Sequence, residues 1–134
     1  MTEALIDTDI LSFYFRGDPT VIDRFTVYLK QFDQLNISII TYYEICAGLK
    51  YKDAIKQLDQ FEEFIAVQNL ILVSESSARI AADIYAELRK SGITIGTSDL
   101  LIAGIAIENG LTLITNNEKH YVPIRNLKVN NWKS

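Results

Sequence analysis

Short, continuous apolar runs alternate along this chain with longer stretches of helical periodicity. The first run, ALID at 4–7, breaks at Asp7-Thr8 into a helix-like stretch from Ile10 to Phe15 that ends at Gly17. Asp18-Pro19 then offers an N-cap acid and a first-turn proline for a helix reaching about Lys30, followed by the strand-like LNISII at 35–40. Thr41 is the predicted cap of the next helix, which carries Glu44. From Lys52 to Phe64, the residues Ile55, Leu58, Phe61 and Phe64 recur at helical spacing with charges between them, the pattern of an amphipathic surface helix. LILV at 70–73 reads as a buried strand. After it, Ser74 is placed to cap a helix with Ala78, Ala81, Ala82, Tyr85 and Leu88 turned inward and Gly92 at its end. The run from Leu100 to Ile107 is apolar nearly all round, as in a fully buried helix, and Gly110 separates it from the strand LTLIT at 111–115.

Continuous apolar strands alternating with helices predict an α/β fold, a single domain over residues 1–134 with a central, mostly parallel twisted sheet between two layers of helices. Ligands of such sheets bind beyond the carboxyl ends of the strands. Asp7 and the segment Thr115-Asn116-Asn117 follow strands directly, and Glu44 lies a few residues past a third, so all are directed to one crevice.

Composition narrows the chemistry available there. A chain of 134 residues that is 49% hydrophobic buries a core without disulfides, and its single cysteine, Cys46, fits a reducing compartment. With His120 the only histidine, Cys/His zinc sites are removed and a Ser-His-Asp triad would rest on one residue. The N-terminal MTEALIDTDILSF has neither a basic region nor a long apolar one, and no run approaches a membrane span, so a soluble, cytoplasmic protein without a membrane partner is expected. The net charge of −4 argues against a broad basic surface for nucleic acid. Any such contact has to be local or metal-assisted.

Three carboxylates interrupt the apolar runs: Asp7 in ALIDTDIL, Glu44 in IITYYEICAG and Asp99 in IGTSDLLIAGIA. Burying an ionised carboxylate is costly unless a positive group compensates it, which points to a shared hard divalent cation at the edge of the core. Asp99 opens the buried helix, with Thr97 or Ser98 as the predicted cap, so the helix N-terminus favours its anion. Oxygen donors with open coordination positions suit Mg2+, and Mn2+ accepts the same donors; the chemistry expected of them is phosphodiester hydrolysis. Singly, each acid has a plainer role, as an Asx-type turn at Asp7, a solvent-facing helix acid at Glu44 or a dipole complement at Asp99. Those roles leave the three together unexplained.

LIDTDIL, TYYEICAGL, IGTSDLLIAGIA and LITNNEKHY occur in this order, and from Leu5 to about Leu127 the chain resembles PIN-domain ribonucleases, specifically the VapC-like toxins of prokaryotic toxin–antitoxin pairs. The resemblance implies a PIN-domain-like three-layer α/β/α sandwich and an endoribonuclease toxin that acts on RNA and is neutralised by a cognate VapB-like antitoxin. It also implies a homodimer, with Asp7, Glu44 and Asp99 as the metal-binding catalytic acids and Thr8 or Asn117 in support. Related sequences often carry an acid where Asn117 or His120 stands here. Asn117 still offers a neutral oxygen and Glu118 is adjacent, so a three-carboxylate site with a looser second-metal position is expected.

Asp9 and Thr115 are read as supporting residues, and Lys119 and His120 as RNA contacts. Lys50, with Lys52 and Lys56, is a further phosphate candidate on what is more often a solvated face. Phe13, Tyr14 and Phe15 divide between core packing and a partner groove, and surface of that kind is buried against the antitoxin in VapC-like toxins. Two alternatives stand beside the nuclease. One is a PIN-like module that binds RNA or protein without cutting. The other is a haloacid-dehalogenase-type phosphatase, suggested by Asp7-Thr8-Asp9, which lacks its downstream acids here and leaves Glu44 and Asp99 without roles.

Overall fold

The computed structural model describes residues 1–133. Strands β1 (Ala4–Ile6), β2 (Asn36–Ser38), β3 (Asn69–Ile71), β4 (Thr112–Ile114) and β5 (Val129–Asn130) form one sheet in the order β3-β2-β1-β4-β5, with every neighbouring pair parallel. The helices are α1 (Thr8–Phe15), α2 (Pro19–Gln31), α3 (Ile39–Tyr51), α4 (Ile55–Ala66), α5 (Glu75–Lys90), α6 (Thr97–Glu108) and α7 (Glu118–Tyr121). The pleat of β1 sorts them into layers. Ala4 and Ile6 join a core with Ile10, Phe25, Tyr28 and Phe61 from α1, α2 and α4, while Leu5 joins one with Ala81, Leu88, Ile102 and Ile105 from α5 and α6. This is the expected three-layer α/β/α arrangement.

Several local readings differ from the structure. Ser38, not Thr41, caps α3: its hydroxyl accepts the Thr41 N–H at 3.0 Å, so Ile39 and Ile40 form the first helical turn instead of extending the strand. Gly96 is the N-cap of α6 and no side chain caps it, which leaves Thr97, Ser98 and Asp99 as its first three residues. Because α3 runs on to Tyr51, α4 starts only at Ile55, after a turn in which Asp53 adopts φ 53°. The buried strand expected at LILV is the edge strand β3, and its last two residues, Leu72 and Val73, lie beyond it and are exposed. The inward face of α5 is Ser77, Ala81 and Leu88; Ala82 and Tyr85 face outward. Periodicity also missed β5 and α7.

α5 and α6 approach closely at Gly104, where a Cβ would collide with the carbonyl oxygen of Ser77. That contact seats the buried helix whose first turn carries Asp99. β1 and β4 lie side by side, and from β1 the chain moves outward to β2 and β3 before returning to β4 on the other side. The crevice beyond their carboxyl ends is the switch point at which such sheets bind ligands.

Candidate active site

Three elements begin at this crevice. β1 leads directly into Asp7, which caps α1 and accepts the Thr8 N–H at 2.8 Å, while its own N–H donates to the Ile114 carbonyl of β4. β2 delivers the chain to α3 and Glu44, and α6 begins there with Asp99 in its first turn. Together Asp7, Thr8, Asp9, Glu44, Asp99 and Asn117 line one open cleft of about 370 Å³, joined by Ser12, Phe13, Arg16 and Tyr121.

The acids are held by a set of mostly neutral donors. Thr8 donates its hydroxyl proton to Glu44 at 2.6 Å and lies 3.0 Å from the Thr41 hydroxyl, which ties α1 to α3. Asp9 accepts the Ile10 N–H at 2.7 Å and the Asn116 N–H at 2.9 Å, so it fastens α1 to the loop after β4. In that loop Thr115 is buried and its hydroxyl accepts the Asn117 N–H at 3.1 Å. Asp99 takes the phenol of Tyr121 on one oxygen at 3.1 Å and the His120 ring on the other at 2.8 Å. The Tyr121 hydroxyl also lies 3.3 Å from Asp7.

Burial pushes the Asp7 carboxyl up to about 6, helped by the neighbouring charges of Asp9 and Asp99. Burial raises Asp9 as well. Tyr121 is driven far above its ordinary value by burial and then by the charges of Asp7 and Asp99, so it remains a neutral donor. Among the described residues, no three acid, histidine or cysteine side chains stand close enough to enclose an ion by themselves. The carboxylates instead line a cleft that is wide open on one side, with oxygen donors and an excess of negative charge.

Other expected residues lie elsewhere. Glu118 is exposed and accepts a hydrogen bond from Asn131 at 3.1 Å, outside the cleft. Lys119 is exposed and does not line the cleft, and Lys50 borders a separate depression with Tyr42, Tyr43 and Cys46 on α3. His120 is bonded to an acid of the site instead of standing free for RNA. The three successive aromatics fan apart. Phe13 faces the cleft, Tyr14 stacks on Phe25 with ring centres 4.5 Å apart, and Phe15 lines a groove between α1, α3 and α4. Sequence reasoning missed Tyr121 and Arg16. Arg16 was legible as the last member of the set Asp9, Ser12, Phe13, Arg16, which shares one helical face; a buried tyrosine carries no comparable signal.

The PIN-domain family model matches residues 4–123. The chain is 30% identical to Ribonuclease VapC2 of Rickettsia felis over 96% of both sequences. It is 29% identical to the tRNA(fMet)-specific endonuclease VapC of Shigella flexneri over 98% of this chain and 99% of that one. Among solved structures, VapBC2 from Rickettsia felis bound to a fragment of its promoter DNA superimposes with a TM-score of 0.88 at 27% identity, covering 96% of this chain and 98% of the other. DNA-bound VapBC from Salmonella typhimurium gives 0.87 at 28% identity, covering 98% and 99%.

Proposed function

The chain belongs to the PIN-domain family, and from that premise we propose that it is a metal-dependent endoribonuclease, the toxin of a toxin–antitoxin pair, held in check by a VapB-like antitoxin. One observation carries the reading: Asp7, Glu44 and Asp99, distant in sequence, line a single cleft at the carboxyl edge of the sheet. The names of its relatives supply the RNA substrate and the protein partner. A homodimer belongs to the same reading and rests on the family resemblance. No helix among the described residues is long and apolar enough to cross a membrane, and the lone Cys46 suits a cytoplasmic setting.

A hard divalent cation, Mg2+ or Mn2+, fits the donor set. Asp7 is buried against neutral donors, among them the Thr8 N–H and the Tyr121 hydroxyl; burial first, and then the charges of Asp9 and Asp99, raise its carboxyl, and a cation would offset both. Asp7, Asp99 and Glu44 would supply the carboxylates and Asn117 a neutral amide oxygen from the same cleft, with waters completing a coordination shell that the three acids do not close by themselves. When bound, such an ion supplies Lewis-acid stabilisation of the phosphate and a water acidic enough to attack it near neutral pH.

The chain's own residues orient these groups. Thr8 fixes one oxygen of Glu44, Tyr121 keeps Asp7 and Asp99 in register, and His120 restrains the second oxygen of Asp99. Asp9 holds the loop from which Asn117 reaches the cleft. The phosphatase alternative lacks the acids it needs downstream of Thr115, because Glu118, the only acid there, is engaged with Asn131 outside the cleft.

Expressing the chain without its antitoxin should arrest growth, Asp99→Asn should abolish the arrest, and co-expression of the small protein encoded beside it should restore growth. Equal toxicity of the parent and Asp99→Asn would refute the nuclease. Metal binding without RNA cleavage would favour the binding module.

A further inference from the structure

Asp9, Ser12, Phe13 and Arg16 follow the spacing of one helical face, and all four line the acidic cleft. That face of α1 runs from a carboxylate in its first turn to a guanidinium at its C-cap, about 10 Å away along the axis. Arg16 is exposed and, among the described residues, forms no ion pair. Its guanidinium carbon lies over the Phe13 ring, 5.7 Å from the centroid. The Lys133 ammonium lies over the same ring at 5.2 Å. Lys133 is held there by Asp18 at 3.0 Å and by its neighbour Trp132, which is buried against Phe25 and Tyr28. Two cations are thus gathered on one aromatic at the rim of a cleft whose floor is negative.

RNA that places a scissile phosphate at the acids brings the neighbouring phosphates of the strand past the rim. A chain of net charge −4 repels them unless a local positive group meets them. The Phe13 ring steadies the guanidinium while its N–H fork stays free for phosphate oxygens. We propose that Arg16, steadied by Phe13 and flanked by Lys133, binds a backbone phosphate next to the scissile one and so fixes how the RNA strand crosses the cleft. This rests on the nuclease reading above. It also replaces Lys50 and Lys119, neither of which lines the cleft. Arg16 borders the groove of Phe15, Ile45, Leu49 and Phe61 as well, so a protein partner is the competing occupant. RNA is favoured because one face of α1 carries Asp9 and Arg16 into the same cleft, and a strand held at the acids has to pass the guanidinium.

The test is steady-state cleavage of bulk tRNA in Mn2+ over a series of NaCl concentrations, comparing the parent with Arg16→Ala, Arg16→Lys and Lys133→Ala. Arg16→Ala should raise KM about tenfold with kcat within about twofold. It should also lower the slope of log KM against log salt by about 0.7, the loss of one phosphate contact on a single strand. Arg16→Lys should recover the slope but only part of the KM, since a point charge replaces the fork. Lys133→Ala should shift KM in the same direction by less. Parental KM and salt slope in a folded Arg16→Ala would overturn the inference while leaving the nuclease intact, and so would unchanged RNA kinetics with weakened antitoxin binding. A parent that neither binds nor cuts RNA would remove both.

Discussion

Asp7 and Asp99 are joined through one phenol: the Tyr121 hydroxyl lies 3.3 Å from the first and 3.1 Å from the second. A phenol has one proton to donate. It serves one of the two facing oxygens at a time; Asp7 keeps the Thr8 N–H and Asp99 the His120 ring on their other oxygens, and the facing oxygen left over is open to a cation. Burial, with the charges of Asp9 and Asp99, raises the Asp7 carboxyl at the same place.

Tyr121→Phe keeps the buried ring and removes that donor. Metal affinity should fall about tenfold, the scale of a lost outer-shell partner. RNA cleavage as a function of Mn2+ concentration measures it, and an unchanged metal dependence would reduce Tyr121 to core packing.

The Asp7 carboxyl stands at about 6 in the fold against 3.8 as its ordinary value, so the folded chain binds this proton more tightly than the unfolded one. Its contribution to stability is therefore complete below pH 3.8 and is lost as pH rises through about 6. In EDTA, Asp7→Asn should match the parent at about pH 4 and exceed it by up to about 3 kcal/mol at about pH 7.5. Denaturant melts at the two pH values read this directly. Metal affinity runs the other way, weakening as pH falls below about 6, because the cation and the proton compete for one carboxylate.

Gly104→Ala drives a methyl group into the Ser77 carbonyl and should destabilise the fold by about 1–3 kcal/mol. Gly48, in the middle of α3, has open space around its Cβ position. Gly48→Ala should be stabilising by up to about 1 kcal/mol, and urea melts of the two variants separate helix packing from helix propensity.

Lys50→Ala should leave the KM for RNA within about twofold of the parent, since its side chain borders a depression separate from the cleft and screening weakens distant surface charge. A loss comparable to that of Arg16→Ala would mean that the RNA path runs over α3.

The acids were legible because each stands where an apolar run predicts core. Layering was legible too, because strands and helices alternate without long loops. Errors gathered where periodicity is weak. The small alanines of α5 do not define a face by themselves: Ala81 and Leu88 face inward as expected, but Ser77 completes the stripe and Ala82 and Tyr85 stand outside it. β5 is two residues in a polar segment and has no run to read. In α7, proximity in sequence misled: within one turn His120 and Tyr121 contact the acids while Lys119 is exposed. Tyr121 looks like any core aromatic until the fold sets its hydroxyl between Asp7 and Asp99.

Incubating the purified chain, free of antitoxin, with total cellular RNA and Mn2+, beside EDTA and Asp99→Asn controls, and mapping the new ends is the most direct measurement. Discrete cuts that need the metal and vanish in Asp99→Asn are the predicted result. Intact RNA with the parent, or equal cutting by Asp99→Asn, would contradict a nuclease centred on these carboxylates.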